Sequence, residues 1–210
     1  MTMDQMEEDR QDYAEIEIDA LREAGNMGAS HASTAMSSLV RAAVMIDVPD
    51  CIVCKTEQMP HQLGKADQQT VATLFQTYGR GTGVFLMIMS YETSIRLAAR
   101  MLDHSGPLPA ELDQEGMEAI SEMGNICTSA YLNAMAQFLG TTILPSPPSV
   151  AIDMLSAILE YPASLVAQMS DLVVVLKTSF IIENESYQGS FVFLPDPDSQ
   201  KMLLEKFQAL

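Results

Sequence analysis

The sequence predicts an α+β fold, with long helices packed on a mostly antiparallel sheet. Two long segments, residues 16–39 and 111–139, place apolar side chains at helical spacing. Each is followed by short segments rich in β-branched and aromatic residues, separated by Gly, Pro, Asn and Asp, a pattern typical of strands and hairpins. The same order of segments occurs twice, so we expect a pseudo-two-fold internal repeat whose halves share one sheet.

The first predicted repeat spans residues 13–105. Residues 1–12 before it are charged and have no apolar period, so we predict a disordered acidic N-terminus there. Within the repeat, Pro49 and Asp50 separate two strands, and a turn at residues 79–82 closes a hairpin. The predicted elements are a helix at 13–40, strands at 44–48, 51–55, 70–78 and 83–89, and a helix at 91–102.

The second predicted repeat spans residues 108–210 and returns to the same order. The proline-rich segment 145–148 interrupts it after a short strand, and a turn at Asn184 and Glu185 closes its hairpin. We therefore predict a single domain, residues 13–210, made of the two repeats. The predicted elements are a helix at 111–139, a strand at 141–144, a helix at 151–159, strands at 172–182 and 189–194, and a helix at 198–207.

The clearest sign of the repeat is a polar motif, acid-x-x-x-Glu-x-x-Asn, near the start of both long helices. Positions i, i+4 and i+7 share one helix face, so each motif predicts a polar stripe exposed to solvent. A single stripe of this kind is usually only a solvated surface, but solvation gives no reason to reproduce the pattern twice. The stripes are Asp19, Glu23 and Asn26, and Glu118, Glu122 and Asn125.

A glycine precedes the asparagine of each motif. Gly25 and Gly124 lie inside predicted helices, where glycine costs about 1 kcal/mol relative to alanine. We expect the close approach of another backbone to offset this cost, and that backbone is either a packed helix or a visiting protein.

The charge balance excludes some classes of partner. The formal net charge is −17, from 28 acidic and 11 basic residues. This excess argues against nucleic acids and anionic membrane surfaces, which need clustered Lys and Arg, and it is compatible with solubility alone or with a basic protein partner. The N-terminus lacks the basic start and apolar core of a signal peptide, and we expect a cytoplasmic protein.

The cysteines do not predict a metal site. Cys51 and Cys54 form a single CxxC in a predicted strand, where residues three apart point to opposite faces. No second CxxC or histidine pair completes a zinc site, and Cys127 falls in the second long helix. We expect no metal of the protein's own.

The motif suggests a reaction for which this chain needs to supply few catalytic groups. An amide cannot take up a proton, but it can hold a water molecule by donating and accepting hydrogen bonds. Phosphoryl transfer depends mainly on positioning and electrostatics. If a partner protein brings an activated phosphate and its own Mg²⁺, the asparagine needs only to aim the water, while the glutamate pairs with a cation of the partner.

These residues resemble the CheC branch of the CheC/CheX/FliY chemotaxis phosphatases. The resemblance rests on Glu-x-Gly-Asn in both halves, on Leu-Pro-Ser-Pro-Pro at 144–148, on Val-Ala-Ile-Asp-Met at 150–154 and on Leu-Pro-Asp-Pro at 194–197. It covers nearly the whole chain from Asp19 onwards. The family signature is Asp/Ser-x-x-x-Glu-x-x-Asn, which the first copy matches fully and the second matches except for Glu118.

The resemblance implies an activity, a substrate and partners. The substrate would be the aspartyl-phosphate form of the response regulator CheY, which supplies the Mg²⁺. Asn26 and Asn125 would orient the water, Glu23 and Glu122 would engage a lysine of CheY, and Asp19, Glu118, Gly25 and Gly124 would support the partner contact. The resemblance also implies binding of the receptor deamidase CheD, as a monomer or a heterodimer with it. Two alternatives stay open: a binding module like the flagellar switch protein FliM, and a regulator that mainly sequesters CheD.

Overall fold

The structure, a computed structural model, describes residues 15–166 and 172–207. The predicted acidic N-terminus at 1–12 and the first two residues of the predicted long helix lie outside this part of the chain. The helices are α1 Glu15–Val40, α2 Met59–Leu63, α3 Tyr91–Met101, α4 Gln114–Leu139, α5 Leu155–Val166 and α6 Pro197–Phe207. The strands are β1 Val44–Lys55, β2 Gln69–Gly79, β3 Gly83–Ser90, β4 Ile143–Pro145, β5 Ser149–Met154, β6 Leu172–Ile182 and β7 Glu185–Pro195.

The seven described strands form one sheet, in the order β1-β6-β7-β3-β2-β4, with β5 also paired to β2. All the pairings are antiparallel. The predicted α+β class and antiparallel sheet are confirmed. The path β1-β6-β7-β3-β2-β5 is symmetric about its centre. β1, β6 and β7 in one half occupy the places that β5, β2 and β3 occupy in the other half. An internal repeat predicts a strand order of this kind.

The two faces of the sheet are covered unequally. Alternate residues of each strand point to opposite faces, so the strands contribute to two separate cores. The larger core lies under the long helices and contains Leu21 of α1 and Ile120 of α4. The smaller one lies under α2 and α5 and contains Met59 and Leu155. No helix within the described ranges is long and apolar enough to cross a membrane.

The prediction of two strands at 44–48 and 51–55 was wrong, because β1 is continuous. Its register against β6 shifts between Asp47 and Asp50, so that Val48 and Pro49 form a bulge. β1 is an edge strand of the sheet, and proline is tolerated at edges and bulges because it has no N–H to contribute to the ladder.

The predicted helix at 151–159 was also wrong. Residues 149–154 form strand β5 against β2, and helix α5 begins only at Leu155. The segment alternates, since Val150 and Ile152 pack against the larger core while the residues between them are exposed. In a short apolar segment, the spacing of apolar residues typical of a helix cannot be distinguished clearly from that of a strand. The short helix α2 was not predicted.

The two long helices pack on each other through a glycine. A Cβ atom at Gly28 of α1 would lie 2.9 Å from the Cα atom of Tyr131 in α4. Real Cβ atoms do not approach a backbone so closely. A Cβ atom at this position would therefore force the two helices apart. The contact therefore fixes how closely α1 and α4 lie on their shared face of the sheet.

We expect Gly28→Ala to lower the free energy of unfolding by about 1–3 kcal/mol, because the added methyl group overpacks the contact between the helices. Gly25→Ala is the matched control in the same helix, because its Cβ would lie 3.4 Å from the Leu176 side chain, at ordinary van der Waals distance. This control should be neutral or stabilising by up to about 1 kcal/mol. Urea denaturation measures both, and equal losses in the two variants would contradict the close helix contact.

Candidate functional site

The first polar stripe begins on the outer surface of α1. Asp19 and Glu23 are exposed, whereas Asn26 is half-buried. The Asp19 carboxylate pairs with Arg22, three residues further on, at 2.8 Å. Among the described residues the Glu23 carboxylate has no partner. The structure therefore places an exposed, unpaired carboxylate one turn before a partly enclosed amide, on the same face of the helix.

The bulge in β1 fixes the orientation of Asn26. Its Oδ1 atom accepts a hydrogen bond of 3.3 Å from the backbone N–H of Val48, which lies where the ladder with β6 is interrupted. Because the partner is a donor, the bonded atom must be the amide oxygen. The Nδ2 atom, with two N–H donors, is not bound by any described residue and remains available to an external acceptor.

The second stripe lies on α4 and differs in detail. Glu118 and Glu122 are exposed and Asn125 is half-buried. Glu118 accepts a hydrogen bond of 3.0 Å from Gln114, one turn earlier. In the described part of the chain, the Asn125 amide has no hydrogen-bond partner. Both lone pairs of the Asn125 oxygen are therefore free, whereas the Asn26 oxygen keeps one lone pair beside its bond to Val48.

Both motif glycines face the sheet. They are buried, and a Cβ at Gly124 would lie 2.9 Å from the Thr73 side chain of β2, whereas one at Gly25 would lie 3.4 Å from Leu176 of β6. The expected close approach of another backbone within this chain was wrong, because the nearest atoms belong to side chains. Packing against Thr73 explains Gly124, whereas Gly25 has room for a Cβ and is not explained by packing. The role of Gly25 and Gly124 in partner binding stays a prediction.

The two asparagines lie over different parts of the sheet. Asn26 contacts β1 and Gly25 lies over β6, whereas Gly124 lies over β2. β6 and β2 are three steps apart in the strand order, which corresponds to about 14 Å at the usual strand spacing of about 4.8 Å. The arrangement thus presents two separate sites rather than one composite site.

The described residues offer no metal centre, and two of the three cysteines are unsuited to act as nucleophiles. They contain no group of three or more His, Cys, Asp or Glu side chains that could hold a metal ion. Cys51 and Cys54 are buried on opposite faces of the sheet, as their spacing predicts. Burial raises the pKa of the Cys127 thiol to about 12, and burial with a contribution from Asp50 raises that of Cys51 to about 12. A thiolate nucleophile is excluded at these two positions near neutral pH.

Val48 is the contact that sequence analysis missed. It holds Asn26 through its backbone N–H, and its side chain is buried. The signal was the dipeptide Pro49-Asp50, which marked an irregularity in the strand but gave no indication that the freed amide would bind the motif.

Comparisons with known proteins find similarity to the CheC-like family and a shared fold. The model of the CheC-like family matches residues 16–52 and 115–159; each segment begins at the same distance before its asparagine. The CheY-P phosphatase CheC of Bacillus subtilis (strain 168) is 26% identical over 193 residues, which cover 90% of this chain and 92% of that protein.

Two solved structures share the fold. The crystal structure of Thermotoga maritima FliY has a TM-score of 0.76 and 22% identity, covering 95% of this chain and 99% of that one. The FliM middle domain from H. pylori has a TM-score of 0.64 and 11% identity, covering 91% of this chain and 99% of that domain.

The contrast between the two asparagines can be tested by stability. We expect Asn26→Ala to lower the free energy of unfolding by about 1 kcal/mol, because it leaves the Val48 N–H without its partner. Asn125→Ala loses no described bond and replaces a weak helix former with alanine, so it should be neutral or slightly stabilising. Chemical denaturation of both variants is the measurement, and an equal or larger loss for Asn125→Ala would show that its amide has a structural partner.

Proposed function

We propose that this chain is a member of the CheC-like family that hydrolyses the aspartyl phosphate of the chemotaxis response regulator CheY at two separate sites. The single observation that carries this proposal is the pair of Glu-x-x-Asn stripes with an exposed carboxylate and a half-buried amide on equivalent helices. The relative named CheY-P phosphatase CheC supports the same activity.

In the proposed mechanism, docking brings the phosphoryl group of CheY against one stripe. Glu23 or Glu122 is exposed and unpaired in the described structure, so it can form an ion pair with a lysine of CheY without first breaking another bond. The net charge of −17 also favours encounter with a basic surface on the partner.

The asparagine then positions the attacking water. Asn26 or Asn125 is half-buried, which limits the motion of its side chain and lowers the entropic cost of aiming the water. The N–H donors of the amide can hold the water oxygen, and a free amide oxygen can accept one of its protons. The Mg²⁺ that neutralises the phosphate would come with CheY.

We propose that the two sites are unequal. The Asn26 oxygen is bonded to Val48 and keeps one lone pair, whereas the Asn125 amide makes no bond to a described residue. The Asn125 side chain can therefore turn to hold a water by both its nitrogen and its oxygen without breaking an internal bond. Asn125 should therefore carry the larger share of the activity, even though Glu118 departs from the family signature.

The main alternative is a binding module without catalysis. The FliM middle domain has the same fold, so the fold itself does not decide between hydrolysis and binding. Two copies of an amide next to an unpaired carboxylate favour hydrolysis. Binding of the deamidase CheD stays a prediction from the family resemblance.

The deciding experiment measures phosphate release from phosphorylated CheY with Mg²⁺ present. Wild-type protein should accelerate release, and Asn26→Ala combined with Asn125→Ala should return it to the rate of CheY alone. Because the two sites act separately, each single variant should lose only the share of its own site, and the double variant should lose at least about tenfold, equivalent to about 1.4 kcal/mol of barrier. Of the single variants, Asn125→Ala should lose more.

Binding measurements separate the two roles. The double asparagine variant should retain its affinity for phosphorylated CheY, whereas Glu23→Lys combined with Glu122→Lys should lose it through charge repulsion. Wild-type protein that binds but does not accelerate release would support the binding module. Acceleration that survives the double asparagine variant would exclude both asparagines from the reaction.

A further inference from the structure

The sheet face away from α1 and α4 becomes polar at one end. Along most of this face the strands present apolar residues, such as Val175 of β6 and Val192 of β7. At the end where α3 begins, Lys177 of β6 lies directly opposite Ser190 of β7, and the next residue across the sheet is the apolar Ile88 of β3. One pair further along, Thr70 of β2 lies opposite Ser90 of β3.

This polar end encloses a cavity of about 260 Å³. Lys177 is the one charged side chain among its lining residues, and most of the others carry hydroxyl or amide groups. The polar lining residues are Gln68, Thr70, Ser90, Thr93, Lys177, Gln188 and Ser190. A cavity with many hydrogen-bonding groups and one positive charge is suited to a small anion and unsuited to a cation or an apolar ligand.

Lys177 is partly buried and has no carboxylate bonded to its ammonium group among the described contacts. Its Nζ atom donates to the backbone carbonyl of Gln62, and an ammonium group has two further donors. Burial lowers the pKa of Lys177, and Asp50 opposite it on β1 offsets only part of this effect. The charged form therefore pays a desolvation cost that a bound anion would offset.

Ser190 contributes a second donor to the cavity. The residue is only 7% exposed and lines the cavity, and its hydroxyl forms no hydrogen bond with a described residue, so it can donate to a ligand there. An anion held by Lys177 would lie next to this hydroxyl, because the two residues are cross-strand neighbours.

The first turn of α3 forms another wall of the cavity. Ser90 caps this helix, and its Oγ atom accepts a hydrogen bond of 3.1 Å from the backbone N–H of Thr93. The helix dipole places partial positive charge at this end. Glu92, the acidic residue of the first turn, is exposed and is not among the lining residues.

We propose that this cavity binds a phosphate group, either as inorganic phosphate or as the phosphoryl group of a small phosphomonoester. We name the surface formed by Lys177, Ser190, Thr70, Ser90 and Thr93 the anion cavity. The two remaining donors of Lys177 and the hydroxyls of Ser190 and Thr93 can bind the oxygen atoms of a phosphate. The Thr70 hydroxyl donates to Gln68 and the Ser90 hydroxyl donates to Thr93, so these two residues only complete the polar wall. The anion cavity lies on the face opposite the two Glu-x-x-Asn stripes, so its occupancy is independent of the proposed hydrolysis.

The test is calorimetric titration of the purified full chain with potassium phosphate and, separately, with O-phosphoserine, at ionic strength held constant with potassium chloride. We expect saturable binding of one anion per chain. Lys177→Met keeps the apolar stem but removes the charge, and it should weaken binding by at least about tenfold. Ser190→Ala should weaken binding about two- to tenfold. Lys201→Met, on the exposed surface of α6, is the matched control and should not change the affinity.

The two ligands distinguish the source of the phosphate group. Equal affinity for O-phosphoserine would identify a phosphomonoester site, and binding of phosphate alone would identify an inorganic phosphate site. Circular dichroism checks that the variants fold. If Lys177→Met does not fold, Ser190→Ala alone still decides the test. Absence of saturable binding, or binding that neither cavity variant weakens, would show that the cavity holds only water and would overturn the proposal.

Discussion

The rest of the structure depends on the close packing of the two long helices on one face of a single sheet. Gly28 allows α1 to approach the backbone of Tyr131 in α4, and Gly124 allows α4 to approach Thr73 of β2. Both helices therefore bury the side that carries the glycines. Since a helix that buries one side must expose the other, the same contacts place the acidic residues of both motifs on the surface.

This packing also explains why the asparagines differ from the glutamates. Glu23 and Glu122 lie on the outer surface, whereas Asn26 and Asn125 lie closer to the sheet and are half-buried. An exposed carboxylate is suited to recognition, and a partly enclosed amide is suited to holding a small molecule in a fixed orientation. In the proposed mechanism, one helical turn provides both functions, and the sheet keeps the two copies apart. The bulge in β1 then distinguishes the copies, because only Asn26 has a backbone donor within reach.

Much of this could be predicted from the sequence, because the long helices and the hairpins have strong local patterns. The stripes follow from helical spacing, and the structure exposes Glu23 and Glu122 as expected. The expectation that the whole stripe is exposed was wrong for Asn26 and Asn125, which lie closer to the sheet and are half-buried. What the sequence could not show depends on contacts between distant segments. The continuity of β1 through Pro49 is decided by its pairing with β6, and strand β5 is stabilised by its pairing with β2. The bond from Val48 to Asn26 and the meeting of Lys177 with Ser190 likewise require the sheet to be assembled.

The central claim is that the two exposed stripes are where the response regulator docks. It is tested most directly by amide chemical-shift mapping of this chain on addition of CheY activated by beryllofluoride, which mimics the phosphoryl group. The account predicts the largest shifts at residues 19–26 and 118–125, in two separate patches over opposite parts of the sheet. Shifts confined to α2, α5 and the sheet face beneath them, with none at either stripe, would contradict it.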